Sequence, residues 1–178
     1  SLRTMLLKGE STIDDPNLRA QVSGTASLSP GGSKAFSLQV RHINPSALHL
    51  SGKWPGQTFS FRADANLTGS RIENMNGSLN LTDFIQSQDG TPLYTLSGLH
   101  LTAANANGRH SLEMKSDFGF LSVDGIFDYR TLPQSVMGII LRKLPGLRAV
   151  APSLARLGTT INSRNRFNID ADIHNTDF

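Results

Sequence analysis

The side chains able to do chemistry in this 178-residue chain are few and dispersed. Five histidines, His42, His49, His100, His110 and His174, stand far apart, and none has metal-ligand spacing to a second histidine or to an acid cluster. They read as scattered surface histidines. Close carboxylates occur twice. Asp14 and Asp15 precede Pro16 in a turn, and Asp170 and Asp172 lie two apart on the wet side of an alternating stretch, where paired acids are more often solvated than catalytic. Calcium on the second pair would require about six oxygens, which two carboxylates do not supply. There is no Gly-x-Ser-x-Gly elbow, phosphate loop or dinucleotide fingerprint, and the absence of cysteine excludes thiol chemistry, disulfides and thiolate metal sites. No catalytic residue, metal or cofactor is expected. The reading is a non-enzymatic binding, transport or scaffold role.

The net charge is +3, but it is unevenly placed. Between Leu132 and Arg166 the chain carries Arg142, Lys143, Arg148, Arg156, Arg164 and Arg166 and no acid. Such a cluster is either a solvated helix flank or a surface for anions. No aromatic residue interleaves these arginines, so base stacking has no support and no nucleic-acid partner is expected. Arg142 and Lys143 remain candidates for contact with anionic lipid.

What must position these groups is a set of alternating strands. From Asn17 to Leu28 the apolar or small residues Leu18, Ala20, Val22, Gly24, Ala26 and Leu28 face polar residues at every odd position, a period of two that specifies one wet and one dry face. The same pattern marks Phe36, Leu38 and Val40, then Phe59, Phe61, Ala63, Ala65 and Leu67, then Leu79 and Leu81. It returns in Leu112 and Met114, in Leu121, Val123 and Phe127, and in Phe167 and Ile169. Shorter strands are expected at Arg3 to Gly9, with a turn at Ile13-Asp-Asp-Pro16 after it, and around Leu48 and Leu50; Gln86-Ser-Gln-Asp-Gly90 reads as a polar loop, the alternation breaks at Gly119-Phe120, and a phase change near Gly98 suggests a bulge. Asn107-Gly108 is suited to a hairpin turn at positive φ. Thr131-Leu-Pro-Gln-Ser135 opens a helix with a proline in its first turn, followed by Val136, Ile139, Ile140 and Leu144 at helical spacing before Pro145-Gly146. A second short helix is expected at Pro152 to Gly158.

About ten strands joined by tight turns, without crossover helices, predict a mainly β, antiparallel meander with one or two short helices after residue 131. The content of apolar residues, 38%, is low for a compact globule, so the core is expected to be thin. The dry face can be closed into a barrel or sandwich, covered by the helix, or left as a gutter for something apolar, and periodicity alone does not choose.

Three stretches carry a resemblance: Asn17-Leu-Arg-Ala-Gln-Val-Ser-Gly24, Ile72-Glu-Asn-Met-Asn-Gly-Ser-Leu79, and Ser116-Asp-Phe-Gly-Phe-Leu-Ser-Val-Asp-Gly-Ile-Phe-Asp-Tyr-Arg-Thr-Leu-Pro-Gln-Ser135. They resemble the TamB family of translocation and assembly module proteins, in the AsmA-like superfamily. The resemblance implies a meander folded into an elongated groove, and a single β-rich segment, residues 1–178, with a helical insertion at about 132–158. It implies an interior piece of an inner-membrane-anchored, periplasmic protein. The implied function is phospholipid transport between inner and outer membranes and outer-membrane biogenesis, with phospholipid acyl chains and a TamA-type outer-membrane barrel as partners. The groove would then be lined by Phe36, Leu38, Val40, Phe59, Phe61, Leu67, Leu79, Leu81, Leu112, Met114, Leu121, Val123, Phe127, Phe167 and Ile169. The alternative is a scaffold or chaperone-like surface whose edge strand pairs with outer-membrane protein strands.

Overall fold

The structure is a computed structural model that describes residues 6–52, 54–69, 71–143 and 164–174. Nine strands form one antiparallel sheet in chain order: β1 (Leu6–Asp15), β2 (Leu18–Ser27), β3 (Lys34–Ile43), β4 (Gln57–Thr68), β5 (Asn76–Gln88), β6 (Thr91–Ala106), β7 (Arg109–Ser116), β8 (Gly119–Ile126) and β9 (Arg166–Ile173). The helix α1 (Leu132–Lys143) lies between β8 and β9. The sheet is an open meander and not a barrel, because β1 and β9 stay at opposite ends of the strand order.

The turns follow from local chemistry. The β1–β2 turn is held by the Asp15 carboxylate, which accepts from the Asn17 amide at 2.8 Å. β5 and β6 are joined by Asp89-Gly90 (φ 51° and 80°), and β6 and β7 by Asn107-Gly108 (φ 53° and 75°). Paired positive φ values give the two-residue turns whose twist suits flanking strands. The Asn-Gly turn is where the sequence places it. Asp89-Gly90 was expected inside a longer polar loop, but Gln86–Gln88 continue β5 by pairing with Tyr94, Pro92 and Thr91.

Three other expectations are corrected. Leu48 and Leu50 form no strand: the Leu48 amide donates to Asn44 O (3.1 Å), the Leu50 amide to Pro45 O (2.9 Å) and the Ala47 amide to the Asn44 side chain (3.0 Å). Local turn bonds around Asn44-Pro45 outweigh two alternating leucines, and the described residues hold nine strands, in line with the meander of about ten that was expected. β1 runs on through Ile13 to Asp15, where a turn was expected, because Asp14 and Ile13 pair with Arg19 and Ala20. The reversal after β7 occurs at Asp117-Phe118, two residues earlier than the Gly119-Phe120 break in the pattern suggests.

The phase change near Gly98 is real, and it involves two strands. Asp83 on β5 takes φ 54°, and the β4–β5 register slips between Ser60 and Arg62. The β5–β6 pair stays in step across the same level, from Leu81↔Leu99 to Phe84↔Leu96. Because both strands break phase together, Leu81 and Phe84 share a face, as do Leu99 and Leu96. The dry face therefore survives the irregularity. The segments Leu144–Gly146 and Pro152–Gly158, with Arg148 and Arg156, lie outside the described residues.

Candidate functional site

Cross-strand register fixes which side chains share a surface, since directly opposed residues point the same way. Val40 opposes Phe61, Leu38 opposes Ala63, and Phe36 opposes Ala65. Ala63 and Ala65 oppose Leu81 and Leu79, which oppose Leu99 and Leu101. Leu101 and Ala103 meet Met114 and Leu112, which meet Leu121 and Val123, and Val123 meets Ile169. Phe59 and Leu67 keep the phase of Phe61 along β4, Phe167 that of Ile169 along β9, and Phe127 continues β8. All fifteen residues expected to line an apolar surface thus lie on one continuous face. From β3 to β9, six inter-strand steps carry these residues over about 29 Å along the sheet.

Its two ends differ. Over β7–β9 the face is covered by α1: Val123 (0% exposed), Phe127 (4%), Leu132 (4%) and Val136 (9%) form a core against which Leu112, Leu121, Tyr129, Phe167 and Ile169 pack. The helix is tied down by Asn165, whose side-chain Oδ1 accepts from the Asp128 backbone amide (3.1 Å). Its amide group donates to Thr131 Oγ1 (3.1 Å) and to the buried Ser135 Oγ (2.8 Å). Among the described residues no comparable core forms over β2–β6. There Val22 and Phe36 are 38% and 39% exposed, and Leu38, Phe61, Leu67, Leu79 and Leu81 are half-buried. Val40, Ala63 and Ala65 are buried, the alanines in the lee of larger neighbours. Six of the fifteen residues (Leu112, Leu121, Val123, Phe127, Phe167 and Ile169) belong to or pack against this core, and the other nine lie outside it, Val40 buried, Phe36 exposed and the rest half-buried.

At the rim bearing the β3–β4 loop and the β5–β6 turn, aromatic rings stand in file. Trp54 meets Phe59 edge-on at 5.6 Å, Phe59 meets Phe84 at 6.0 Å, and Phe84 meets Tyr94 at 6.1 Å. Phe59 was the one ring of this file that the alternating pattern exposed; Phe84 was missed because the bulge at Asp83 moves it out of phase. The opposite rim, where α1 begins, is polar. Arg130 pairs with Glu73, the Asn105 side chain donates to Glu73 O at 2.6 Å, and Arg71, Glu73, Asn74 and Arg130 line a cleft of about 640 Å³.

His110 departs from the expected surface histidine. It is 9% exposed, with its ring 5.2 Å from Phe127 and 5.1 Å from Tyr129. Burial pushes the Tyr129 hydroxyl above its ordinary pKa by penalising the phenolate. The alternating phase alone puts His110 on the dry face, and that signal was there to be read. Asp170 and Asp172 are exposed on the other face, and among the described residues no three His, Asp or Glu side chains gather as a metal site would require. Arg142 and Lys143 are exposed on the last turn of α1, where cations suit the helix dipole, and Arg142 Nε donates to Gly138 O at 3.2 Å. Among the described residues no helix is long and apolar enough to cross a membrane.

No protein-family model matches the chain, and no curated protein and no solved structure is significantly similar to it.

Proposed function

We propose that this chain is a non-enzymatic, lipid-handling segment, whose uncovered apolar face holds phospholipid acyl chains away from water. The observation that carries the reading is the continuity of that face from β2 to β6 without a core laid over it. A contiguous apolar surface of this extent calls for an apolar occupant. Each methylene taken from water contributes about 0.8 kcal/mol, so a whole chain is held by many small contacts and no single residue dominates. The resemblance of Asn17–Gly24, Ile72–Leu79 and Ser116–Ser135 to TamB-family segments extends the proposal to the periplasm of a Gram-negative cell. There the segment would serve phospholipid transport between inner and outer membranes and outer-membrane biogenesis, with a TamA-type barrel as the partner of the full-length protein. Arg142 and Lys143, exposed cations on the last turn of α1, would meet lipid phosphate.

The test uses a photo-crosslinking amino acid at Phe61 or Leu81, against controls at Arg62 and Asp64 on the opposite face. Capture of acyl chains from the first pair alone is the expected result, together with lipid co-purifying with the protein. Equal capture from both faces, or from neither, would remove the lipid reading.

A second reading has its own observation. All ten residues of β1 are exposed, Leu6 and Leu7 at 62% and 56%, and β1 ends the sheet with one edge unpaired among the described residues. Such an edge can add an unfolded outer-membrane strand. Ile13→Lys, a charge turned onto the dry face at that edge, should then abolish binding of strand peptides; unaltered binding would dispose of this reading.

A further inference from the structure

The polar rim beside α1 is built differently from the rest of the apolar face. Among the described residues its cleft of about 640 Å³ is lined by Arg71, Glu73, Asn74 and Arg130, two guanidinium groups to one carboxylate. Glu73 is paired with Arg130, and among the described residues Arg71 has no carboxylate partner. The loop that carries Arg71 and Glu73 is fixed: the Arg71 amide donates to the Asn74 side chain (2.9 Å), and the Asn74 amide donates to Arg71 O (3.1 Å). Asn105 joins this loop to the sheet through Glu73 O and through the Asn76 side chain.

A second observation lies next to the first. His110 Nδ1 and Tyr129 Oη are buried polar atoms without a hydrogen-bond partner among the described residues. Tyr129 precedes Arg130 in the chain, and His110 is the register partner of Asn105. Buried polar groups are nearly always satisfied, and two unsatisfied ones in ring contact mark a place where a further hydrogen-bonding group belongs. On the dry face, His110 opposes Gly125 and is followed by Leu112, so this buried polar corner belongs to the dry side of the sheet, within the covered part, rather than to the wet side.

We infer that this cleft is an anion site for a phosphate ester. Arg71 and Arg130 would hold the phosphate oxygens by charge-assisted hydrogen bonds, with the apolar part of the same molecule lying over β4–β6. The inference rests on the lipid reading above for the apolar part of the ligand, and on the cleft alone for its phosphate. Glu73 competes with the anion for Arg130 and limits affinity.

Calorimetric titration of the whole chain tests it with three probes: dihexanoyl phosphatidic acid below its micellar concentration, dihexanoylglycerol, and inorganic phosphate. Phosphatidic acid should bind best, Arg71→Gln and Arg130→Gln should each weaken it by about tenfold or more, and Glu73→Gln should tighten it. Arg71 is exposed on a loop, so unchanged thermal unfolding of Arg71→Gln shows that the loss is one of binding. Equal binding of phosphatidic acid by wild type and both arginine variants overturns the site. If dihexanoylglycerol binds as well as phosphatidic acid in every variant, the apolar reading stands and the phosphate site falls. If only inorganic phosphate binds, and Arg71→Gln abolishes it, the anion site stands while its link to an apolar ligand is overturned.

Discussion

The two ends of the dry face are written in the same residues and end in different states. Val22 and Phe36 on β2 and β3 are 38% and 39% exposed, while Val123 on β8 is completely buried. Alternation decides which face is dry and is silent on what dries it. The cover over β7–β9 comes from a stretch that does not alternate, Leu132–Lys143, and from a polar clamp, Asn165, that no hydrophobic pattern reports. One face can therefore carry a closed core at one end and an open surface at the other.

The largest expected effect tests that contrast directly. Phe127→Ala removes a ring that touches His110, Tyr129 and Phe167, and should cost about 3–5 kcal/mol, as large-to-small changes in a filled core do. Phe36→Ala, on the uncovered part, should cost less than about 1 kcal/mol. Urea denaturation of both variants measures the difference; equal losses would mean that β2–β6 is packed as tightly as β7–β9. Gly77→Ala sharpens the comparison, because the uncovered part has its own rigid points. Gly77 sits at φ 143°, and a Cβ there would lie 2.0 Å from Asn66 O. The loss should be about 2–3 kcal/mol, whereas Gly98→Ala, with nothing within 4 Å, should stay within about 0.5 kcal/mol by the same measurement. Asn165→Ala deletes three hydrogen bonds at the β8–α1–β9 junction and should cost about 1–2 kcal/mol. Its effect should appear first as faster amide exchange in α1. Unaltered exchange there would show that apolar packing alone seats the helix.

The strands were legible wherever the pattern was uninterrupted. Leu18–Ser27, Gln57–Thr68 and Arg166–Ile173 follow from period two, and the face of every lining residue follows with them. The start of α1 was legible from Thr131-Leu-Pro. What escaped was set by backbone geometry and by partners distant in sequence. The left-handed Asp83 returns Phe84 to the dry face, and no residue-type rule reports that. The loop after Asn44 is closed by its own amides, and local bonding of this kind defeats a two-residue alternation. His110 was read as a surface histidine from composition although its phase placed it under the helix. The cleft of Arg71, Glu73, Asn74 and Arg130 joins residues more than fifty positions apart, which only the meander brings together.

The smallest effect lies at the exposed hairpin where β7 ends, far from any cover. Asp117 Oδ2 accepts from the Ser97 amide (2.6 Å) and from Ser97 Oγ (2.7 Å), completing β6 where β7 has no further pair to offer. These bonds favour the carboxylate, Ser97 Oγ foremost and the Ser97 amide next, and hold the Asp117 pKa below the usual range. A folded pKa below the unfolded value of about 3.9 means stability that is fully present above that value and is lost as pH falls through the lowered one. Wild type and Asp117→Asn should therefore run parallel in denaturation midpoint from neutrality down to about pH 5, and only below that should wild type lose stability relative to the variant. Because the group is solvent-exposed, the difference should be small beside that of Phe127→Ala. Curves that stay parallel through the acid range would show that the Ser97 contacts are satisfied equally well by water, and that the edge of β6 beyond Gly98 is held by β5 alone.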